Sequence, residues 1–216
     1  MCPEAVSTVF DVGAYTGKTA GRLGILFPHA RIHAFEPSPQ SFGELLSLAE
    51  PAGLGERLIP SPLALSSRAG ERALYRHRAP QTDSLLETHP AAIMQWPDGR
   101  FDPRPGARVQ TGTVDSYCAQ AGIETIDILK IDAQGEDLRV LQGAGGMLGR
   151  GAIGMVVVEM YFVDVYQGQG RPEAIIALLA AHGLRAREYL AHAVDDRGRL
   201  LCVDALFVAP HHRGPS

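Results

Sequence analysis

The chain has 216 residues, of which 45% are hydrophobic and 20% charged, a composition typical of globular proteins rather than disordered or fibrous ones. A formal net charge of −4 argues against a broad surface for nucleic acid or anionic membranes, and the longest apolar run, residues 153–163, is too short to cross a bilayer. Three scattered cysteines form neither a disulfide framework nor a zinc site, and no signal peptide is recognisable, so we expect a cytoplasmic protein.

Short β-branched runs alternate with helical patterns along the chain, which predicts a doubly wound α/β fold with a mostly parallel sheet. The predicted strands are residues 6–13, 31–37, 57–66, 125–135 and 153–161, and the predicted helices are residues 16–27, 37–50, 113–122, 136–148 and 171–183. Residues 184–191 and 200–209 read as two further strands joined by a turn, a terminal hairpin. The order indicates a single domain over residues 1–216.

The stretch from about residue 66 to residue 112 has the weakest pattern, because a short alternating run is followed by a polar, proline-rich segment. An irregular stretch of this length inside a compact domain is usually a functional lid or a mobile insertion. We therefore predict an irregular segment on the substrate side of the site. Trp96, Tyr161 and Tyr166 are candidate walls of a substrate pocket, although isolated aromatic residues more often serve packing.

The junction between the first strand and the first helix, "DVGAYTG", has the features of a ligand-binding loop. Gly13 and Gly17 allow a ligand to approach the main chain, and the helix behind them offers free N–H groups. The spacing of the glycines matches neither the dinucleotide fingerprint nor a phosphate-binding P-loop, so Lys18 reads as a solvated helix residue.

Two acidic residues flank this loop. Asp11 precedes it, and Glu36 ends the second predicted strand about twenty residues further on, where an acid accepts hydrogen bonds from ribose hydroxyls. A pyrophosphate would be repelled by Asp11, whereas a sulfonium cation carrying an amine would be attracted. This charge argument favours S-adenosylmethionine over a nicotinamide dinucleotide.

Two more carboxylates follow the ends of later strands. Asp132 ends the fourth predicted strand and Glu159 ends the fifth, and ligands of open α/β sheets bind beyond those ends. Both are candidate catalytic residues, as a general base or as a divalent-cation pair, and the alternatives are a ligand role for Asp132 and a structural role for Glu159. Lys130 lies inside the strand and is expected to pair with an acid.

The ordered pieces "FDVGAYTG", "IHAFEPSP", "PLALSS", "TVDSY", "IDILKIDAQGEDLRVLQGA" and "VVVEMY" resemble the FkbM family of S-adenosylmethionine-dependent methyltransferases. They span residues 9 to 161, and the long piece around residues 130–143 is the most specific. The resemblance implies a class I methyltransferase (Rossmann-like) fold with seven strands and a reversed C-terminal hairpin. The sequence departs from the family at Asp137, where glutamate is usual.

The resemblance also implies roles for particular residues. The methionine end of the cofactor would lie at the "DVGAYTG" junction, the ribose at Glu36, and the transferred methyl group close to Asp132. The residues expected to bind the cofactor are Asp11, Gly13, Ala14, Tyr15, Gly17, Glu36, Pro37, Ser38, Ala64, Leu65 and Asp132. The last of these, with Glu159, would serve catalysis.

The activity that follows is O-methylation of a small molecule, such as a sugar or a natural-product scaffold, with S-adenosylhomocysteine as the product. We expect a monomer or homodimer that binds neither nucleic acid nor membrane and has no dedicated metal site, although a divalent cation is conceivable. Two alternatives remain open: a non-catalytic subunit that binds S-adenosylmethionine, and a nicotinamide-dependent oxidoreductase.

Overall fold

A computed structural model of the protein describes residues 2–48 and 53–210. The strands, in chain order, are β1 (Thr8–Val12), β2 (Arg31–Phe35), β3 (Leu58–Ser61), β4 (Ala64–Leu65), β5 (Gly70–His77), β6 (Pro103–Gly112), β7 (Ile126–Ile131), β8 (Ile153–Tyr161), β9 (Arg185–Val194) and β10 (Leu200–Val208). The helices are α1 (Lys18–Leu26), α2 (Pro39–Leu46), α3 (Pro90–Gln95), α4 (Val114–Ala121), α5 (Asp137–Gln142), α6 (Gly145–Gly149) and α7 (Pro172–Ala181). Short 3₁₀ turns lie at Pro3–Ala5, Gly55–Arg57 and Pro80–Thr82.

Seven strands form the main sheet in the order β3-β2-β1-β7-β8-β10-β9. Strands β3, β2, β1, β7 and β8 pair in parallel, and β10 runs antiparallel to both of its neighbours. The mostly parallel seven-stranded sheet with a reversed C-terminal hairpin is therefore confirmed. The carboxyl ends of β1, β2 and β7 meet at one edge, and the chain order reverses between β1 and β7, where a ligand crevice is expected.

Both faces of the main sheet are buried, which explains why its central strands are almost continuously apolar. Neighbouring residues of β1 point to opposite sides, so Val9 packs in one apolar cluster with Ile32 and Leu45, while Phe10 packs in another. That second cluster includes Leu129 and Leu179. The sheet is thus held between helices on both sides.

The segment predicted to be irregular, about residues 66–112, is instead largely ordered. Strands β4, β6 and β5 form a second sheet, in that order, in which β5 and β6 are antiparallel. Residues 57–66, predicted as one strand, split between the two sheets, with β3 in the main sheet and β4 in the second one. Pro60 and Pro62 punctuate this stretch, and proline cannot donate a hydrogen bond to a neighbouring strand.

The helix boundaries follow local signals. Ser38 is the N-cap of α2 with proline at the first helical position, and Gly143 caps the end of α5. Helix α1 begins at Lys18, two residues later than predicted, because Gly17 before it has a positive φ of 82°. No helix in the described parts of the chain has the length and hydrophobicity needed to span a membrane.

Candidate cofactor and catalytic site

A cavity of about 320 Å³ lies at the carboxyl ends of β1, β2 and β7, and the second sheet closes one side of it. We call it the central cavity. Its floor includes the loop after β1 and the loop after β7, and Leu74, Asp83 and Leu85 reach it from the second sheet and the residues that follow β5. A cavity at this edge, where the strand order reverses, is the usual ligand site of an open α/β sheet.

The glycine loop after β1 is shaped by its neighbours. Gly13 has a φ of 73°, and a Cβ atom there would overlap the main-chain oxygen of Asp132. Gly17, with a φ of 82°, faces Leu45 and Leu48 rather than the cavity. The glycines therefore serve close packing and chain reversal, while Gly13, Ala14 and Tyr15 present the loop to the central cavity.

Glu36 lies in the central cavity with its carboxylate fixed by the main chain. Its Oε2 accepts a hydrogen bond from the Tyr15 N–H at 2.8 Å, and its Oε1 accepts one from the Ser38 N–H at 2.8 Å. Burial raises the pKa of Glu36 to about 7, and the two N–H donors oppose that shift. Each carboxylate oxygen has a second lone pair, so both oxygens remain able to accept a hydrogen bond from a ligand hydroxyl.

Four other residues predicted to bind the cofactor divide into two groups. Pro37, Ala64 and Leu65 line the central cavity, whereas Ser38 is buried behind it with a 1% exposed surface. Asp83 is an additional cavity residue that the sequence prediction missed. Its Oδ1 accepts a hydrogen bond from the His77 N–H at 2.8 Å, and its Oδ2 lies 3.3 Å from the Ser38 hydroxyl.

Asp11 does not line the central cavity, which corrects the predicted direct contact with the cofactor. It is fully buried, and Lys130 Nζ lies 3.0 Å from its Oδ1 because β1 pairs with β7 so that these two residues are register partners. The predicted pairing of Lys130 with an acid is confirmed. Although burial opposes its charge, Asp11 and Asp132 raise the pKa of Lys130 above its ordinary value, so the amine is charged at neutral pH.

Asp132 lies just beyond the end of β7 in the wall of the central cavity, and its side chain is 40% exposed. Lys130 Nζ lies 3.7 Å from its Oδ2, and Gln134 Nε2 donates a hydrogen bond to its Oδ1 at 2.7 Å. Both oxygens are therefore oriented by the protein while the group stays accessible from the cavity. This arrangement suits a carboxylate that receives a proton from a substrate.

Glu159 occupies a different position from the one predicted for it. Strand β8 continues to Tyr161, and Glu159 lies outside the residues that line the cavity, behind Gln134, whose Nε2 is 3.3 Å from its Oε2. Burial and the charge of Asp132 raise the pKa of Glu159 well above its usual range. A buried carboxyl group that holds its proton is a poor base, so the geometry separates the roles of Glu159 and Asp132.

Asp137, where the sequence departs from the resembling family, holds the loop after β7. Its Oδ1 accepts a hydrogen bond from the Ala133 N–H at 2.9 Å, and its Oδ2 accepts one from the Gly135 N–H at 3.0 Å. Burial raises the pKa of Asp137 to about 7. The shorter acid is thus a loop ligand with no contact to the central cavity.

An ion-pair cluster ties the second sheet to the loop after β7. Glu136 is buried, with Arg72 of β5 on its Oε1 and Arg139 on its Oε2 at 3.3 Å. The Ser66 hydroxyl also donates to Glu136 at 2.6 Å, and Arg72 donates to the carbonyl oxygen of Leu85 at 3.1 Å. This cluster fixes the cavity wall formed by residues 80–85 against the main sheet.

Two basic residues stand at the cavity wall. Lys18 and Arg22 of α1 are both exposed and both line the central cavity, so Lys18 is a cavity residue as well as a solvated helix residue.

Among residues 2–48 and 53–210, no group of three or more acidic, histidine or cysteine side chains has a geometry suited to a metal ion.

Residues 11–186 match the family described as "Methyltransferase FkbM domain". The "2-O-methyltransferase NoeI" of Sinorhizobium fredii is 26% identical over 185 residues, which cover 83% of this chain and 73% of that protein. The "31-O-demethyl-FK506 methyltransferase FkbM" of Streptomyces tacrolimicus is 29% identical over 195 residues, which cover 81% of this chain and 71% of that protein.

Solved structures show the same fold. The crystal structure of methyltransferase FkbM from Methylobacillus flagellatus KT superposes with a TM-score of 0.56 and 12% identity, over 94% of this chain but only 44% of that one. Aeropyrum pernix fibrillarin with natively bound S-adenosyl-L-methionine has a TM-score of 0.51 and 14% identity, over 96% of this chain and 69% of that one. The match over residues 11–186 therefore shows that this chain belongs to the FkbM family of S-adenosylmethionine-dependent methyltransferases.

Proposed function

We propose that this protein transfers a methyl group from S-adenosylmethionine to a hydroxyl group of a small molecule, with Asp132 as the general base. The observation that carries the proposal is that Glu36 and Asp132 both line the central cavity, one suited to ribose hydroxyls and the other to a reacting hydroxyl. The names of both curated relatives describe methylation of an oxygen atom, which supports the choice of acceptor.

The residues of the central cavity fit the cofactor. Glu36 has an unused lone pair on each oxygen, the main chain of Gly13 lines the cavity, and Pro37 and Leu65 supply apolar surface for a base. Bound S-adenosylmethionine would supply an electrophilic methyl group on a sulfonium. The protein would supply its position, since an in-line displacement gains much of its rate from holding donor and acceptor together.

The proposed transfer uses only the methyl donor, the acceptor hydroxyl and one base. With the cofactor bound, the acceptor oxygen would bond to the methyl carbon as the carbon–sulfur bond breaks, and S-adenosylhomocysteine would leave with the electron pair of that bond. The proton of the hydroxyl passes to the carboxylate of Asp132. Lys130 and Gln134 hold that carboxylate in one orientation, at 3.7 Å and 2.7 Å from its two oxygens.

The test is incubation of the purified chain with methyl-labelled S-adenosylmethionine and a panel of neutral hydroxyl compounds, including methyl glycosides and 31-O-demethyl-FK506. We expect label in at least one hydroxyl compound and an equal amount of S-adenosylhomocysteine. A non-catalytic binding subunit would be favoured instead if the chain binds S-adenosylmethionine tightly but transfers label to no compound, and if Asp132→Asn leaves the affinity for S-adenosylmethionine unchanged.

We infer a small acceptor that enters beside residues 80–85, because residues of this segment line the central cavity together with Asp132. A cytoplasmic location, a monomeric or homodimeric state and the absence of nucleic-acid binding also stay predictions, which size measurement in solution and localisation of the tagged chain would check.

A further inference from the structure

We propose that Gln134 is a positioning residue that orients the Asp132 carboxylate and keeps it apart from the second carboxyl group, Glu159. This inference rests on the proposed function, since it assigns Asp132 the role of base. Gln134 follows the end of β7 by three residues and lines the central cavity beside Asp132. The sequence places it inside "KIDAQG" but carries no signal of its spatial partners.

The side-chain amide of Gln134 lies between two acids on one side and two phenols on the other. Its Nε2 is 2.7 Å from Asp132 Oδ1 and 3.3 Å from Glu159 Oε2. Its Oε1 is 2.7 Å from the Tyr166 hydroxyl and 3.2 Å from the Tyr161 hydroxyl. An amide nitrogen can donate two hydrogen bonds and an amide oxygen can accept two, so the group has a donor or acceptor site for each of the four contacts.

The surroundings also fix which way the amide points. Reversal would place the amide oxygen against two carboxyl groups and the amide nitrogen against two hydroxyls. The Tyr166 hydroxyl lies 2.9 Å from the carbonyl oxygen of Thr82 as well, and its single proton can serve one acceptor at a time. All four contacts of the amide are with protein groups, and we therefore assign Gln134 an action through Asp132 rather than on the acceptor itself.

The backbone of Gln134 gives independent support. Its φ is 51°, a left-handed conformation that non-glycine residues seldom adopt and that costs of order 1–3 kcal/mol. The Ser84 hydroxyl holds this conformation by donating to the Gln134 carbonyl oxygen at 2.6 Å. Gly135, with a φ of 88°, follows it, and a Cβ there would lie 2.9 Å from the Tyr166 ring. Strain maintained by several neighbours is typical of functional loops.

The position of Glu159 explains why such a bridge is needed. Two carboxyl groups that met directly would share a proton, and the base would then be partly neutralised. Gln134 separates them and offers one N–H to each. Asp132 stays accessible from the cavity, whereas Glu159 lies behind Gln134 and does not line the cavity.

The experiment compares the wild type with Gln134→Met, which keeps the side-chain length but loses all four polar contacts. Crystals of both proteins with S-adenosylhomocysteine should show Asp132 in one rotamer in the wild type and displaced or in several rotamers in the variant. Calorimetric affinity for S-adenosylhomocysteine should stay within about threefold of the wild type. Gln120→Met, an exposed glutamine on α4, is the control for the substitution itself.

Measurement of kcat and KM distinguishes a positioning role of Gln134 from a purely structural one. With an acceptor from the hydroxyl panel, Gln134→Met should lower kcat about 10- to 100-fold with little change in KM for the donor. In an Asp132→Asn background the same change should have less than about a twofold effect, because the group that it positions is gone.

Three results would overturn the inference: an unchanged Asp132 rotamer in the variant, a loss of donor affinity as large as the loss of kcat, or an equal loss of kcat in the Asp132→Asn background. Failure of the proposed function looks different. In that case the wild type does not bind S-adenosylhomocysteine or methylates no hydroxyl, while crystals of the two unliganded proteins still decide whether Gln134 orients Asp132.

Discussion

Lys130 Nζ lies 3.0 Å from the buried carboxylate of Asp11, and these two residues are register partners on adjacent strands. The same amine is 3.2 Å from the carbonyl oxygen of Gly13 and 3.7 Å from Asp132 Oδ2. One cation therefore links the strand that carries the glycine loop to the strand that carries the candidate base. Asp11 pairs with Lys130 inside the protein, and Lys130, not Asp11, lines the central cavity.

Removal of Lys130 should destabilise the fold strongly. Lys130→Met leaves Asp11 buried without its partner, and breaking one side of a buried ion pair costs about 3–5 kcal/mol. The double variant Asp11→Asn with Lys130→Met should recover much of that loss. Chemical unfolding measures the free energies of unfolding, and equal losses in the single and double variants would show that the pair is not coupled.

Donor affinity should depend on Glu36 and on pH. Burial raises the pKa of Glu36 to about 7, and ribose hydroxyls donate better to the ionised form, so binding should release a proton. Affinity for S-adenosylmethionine should therefore rise about five- to tenfold from about pH 6 to about pH 8.

Glu36→Gln is the matched control, because the amide does not titrate. Its affinity should be weaker by about 1–3 kcal/mol and flat over the same pH range. Calorimetry in buffers of different ionisation enthalpy measures both the affinity and the proton release. A wild-type affinity that falls with rising pH would contradict the ribose role.

Asp132→Asn should separate chemistry from binding. Asparagine keeps the shape and can still accept the hydrogen bond from Gln134, but it cannot take up a proton. We expect turnover to fall by about 10²- to 10⁴-fold while donor affinity stays within about threefold. Asp164→Asn, which changes a partly exposed acid paired with Arg171, is the control. A parallel loss of turnover and donor affinity would assign Asp132 to cofactor binding.

Gly13→Ala should disrupt the loop after β1, because the new Cβ would overlap the main-chain oxygen of Asp132 at a φ of 73°. We expect loss of donor binding together with a destabilisation of at least about 2 kcal/mol. Gly122→Ala is the matched control, since Gly122 has a φ of 67° with open space around it. Similar thermal midpoints and affinities for the two variants would mean that only backbone strain matters at Gly13.

Arg72→Met should loosen the cavity wall. It removes a cation from the buried Glu136 and a donor from the Leu85 carbonyl oxygen, which should cost about 1–3 kcal/mol. Hydrogen exchange should accelerate over residues 70–87. Arg108→Met, in the exposed pair with Glu71 on the same sheet, should cost less than about 1 kcal/mol. Equal protection of residues 70–87 in both variants would contradict the role of the Arg72–Glu136 contact.

Local patterns were sufficient for the architecture of the main sheet. Strands buried on both faces are continuously apolar, and a left-handed turn favours glycine. Both features can be read from neighbouring residues in the sequence, as can the polar turn before the last strand. They located β1, β2, β7, β8 and the terminal hairpin. The acids at the strand ends, Glu36 and Asp132, could be singled out because ligands of open α/β sheets bind beyond those ends.

Contacts between distant residues decided the rest. The second sheet exists because β5 and β6 pair across the proline-rich segment, which no local pattern marks. Whether Asp11 faces a ligand or a lysine depends on which strand pairs with β1, and Gln134 gains its role from Glu159 and Tyr166, at least 25 positions away in the chain. Hydrogen bonds and ion pairs act over a few ångströms of space, whereas a sequence pattern reports only neighbours along the chain. The roles of these polar side chains therefore became apparent only in the folded arrangement.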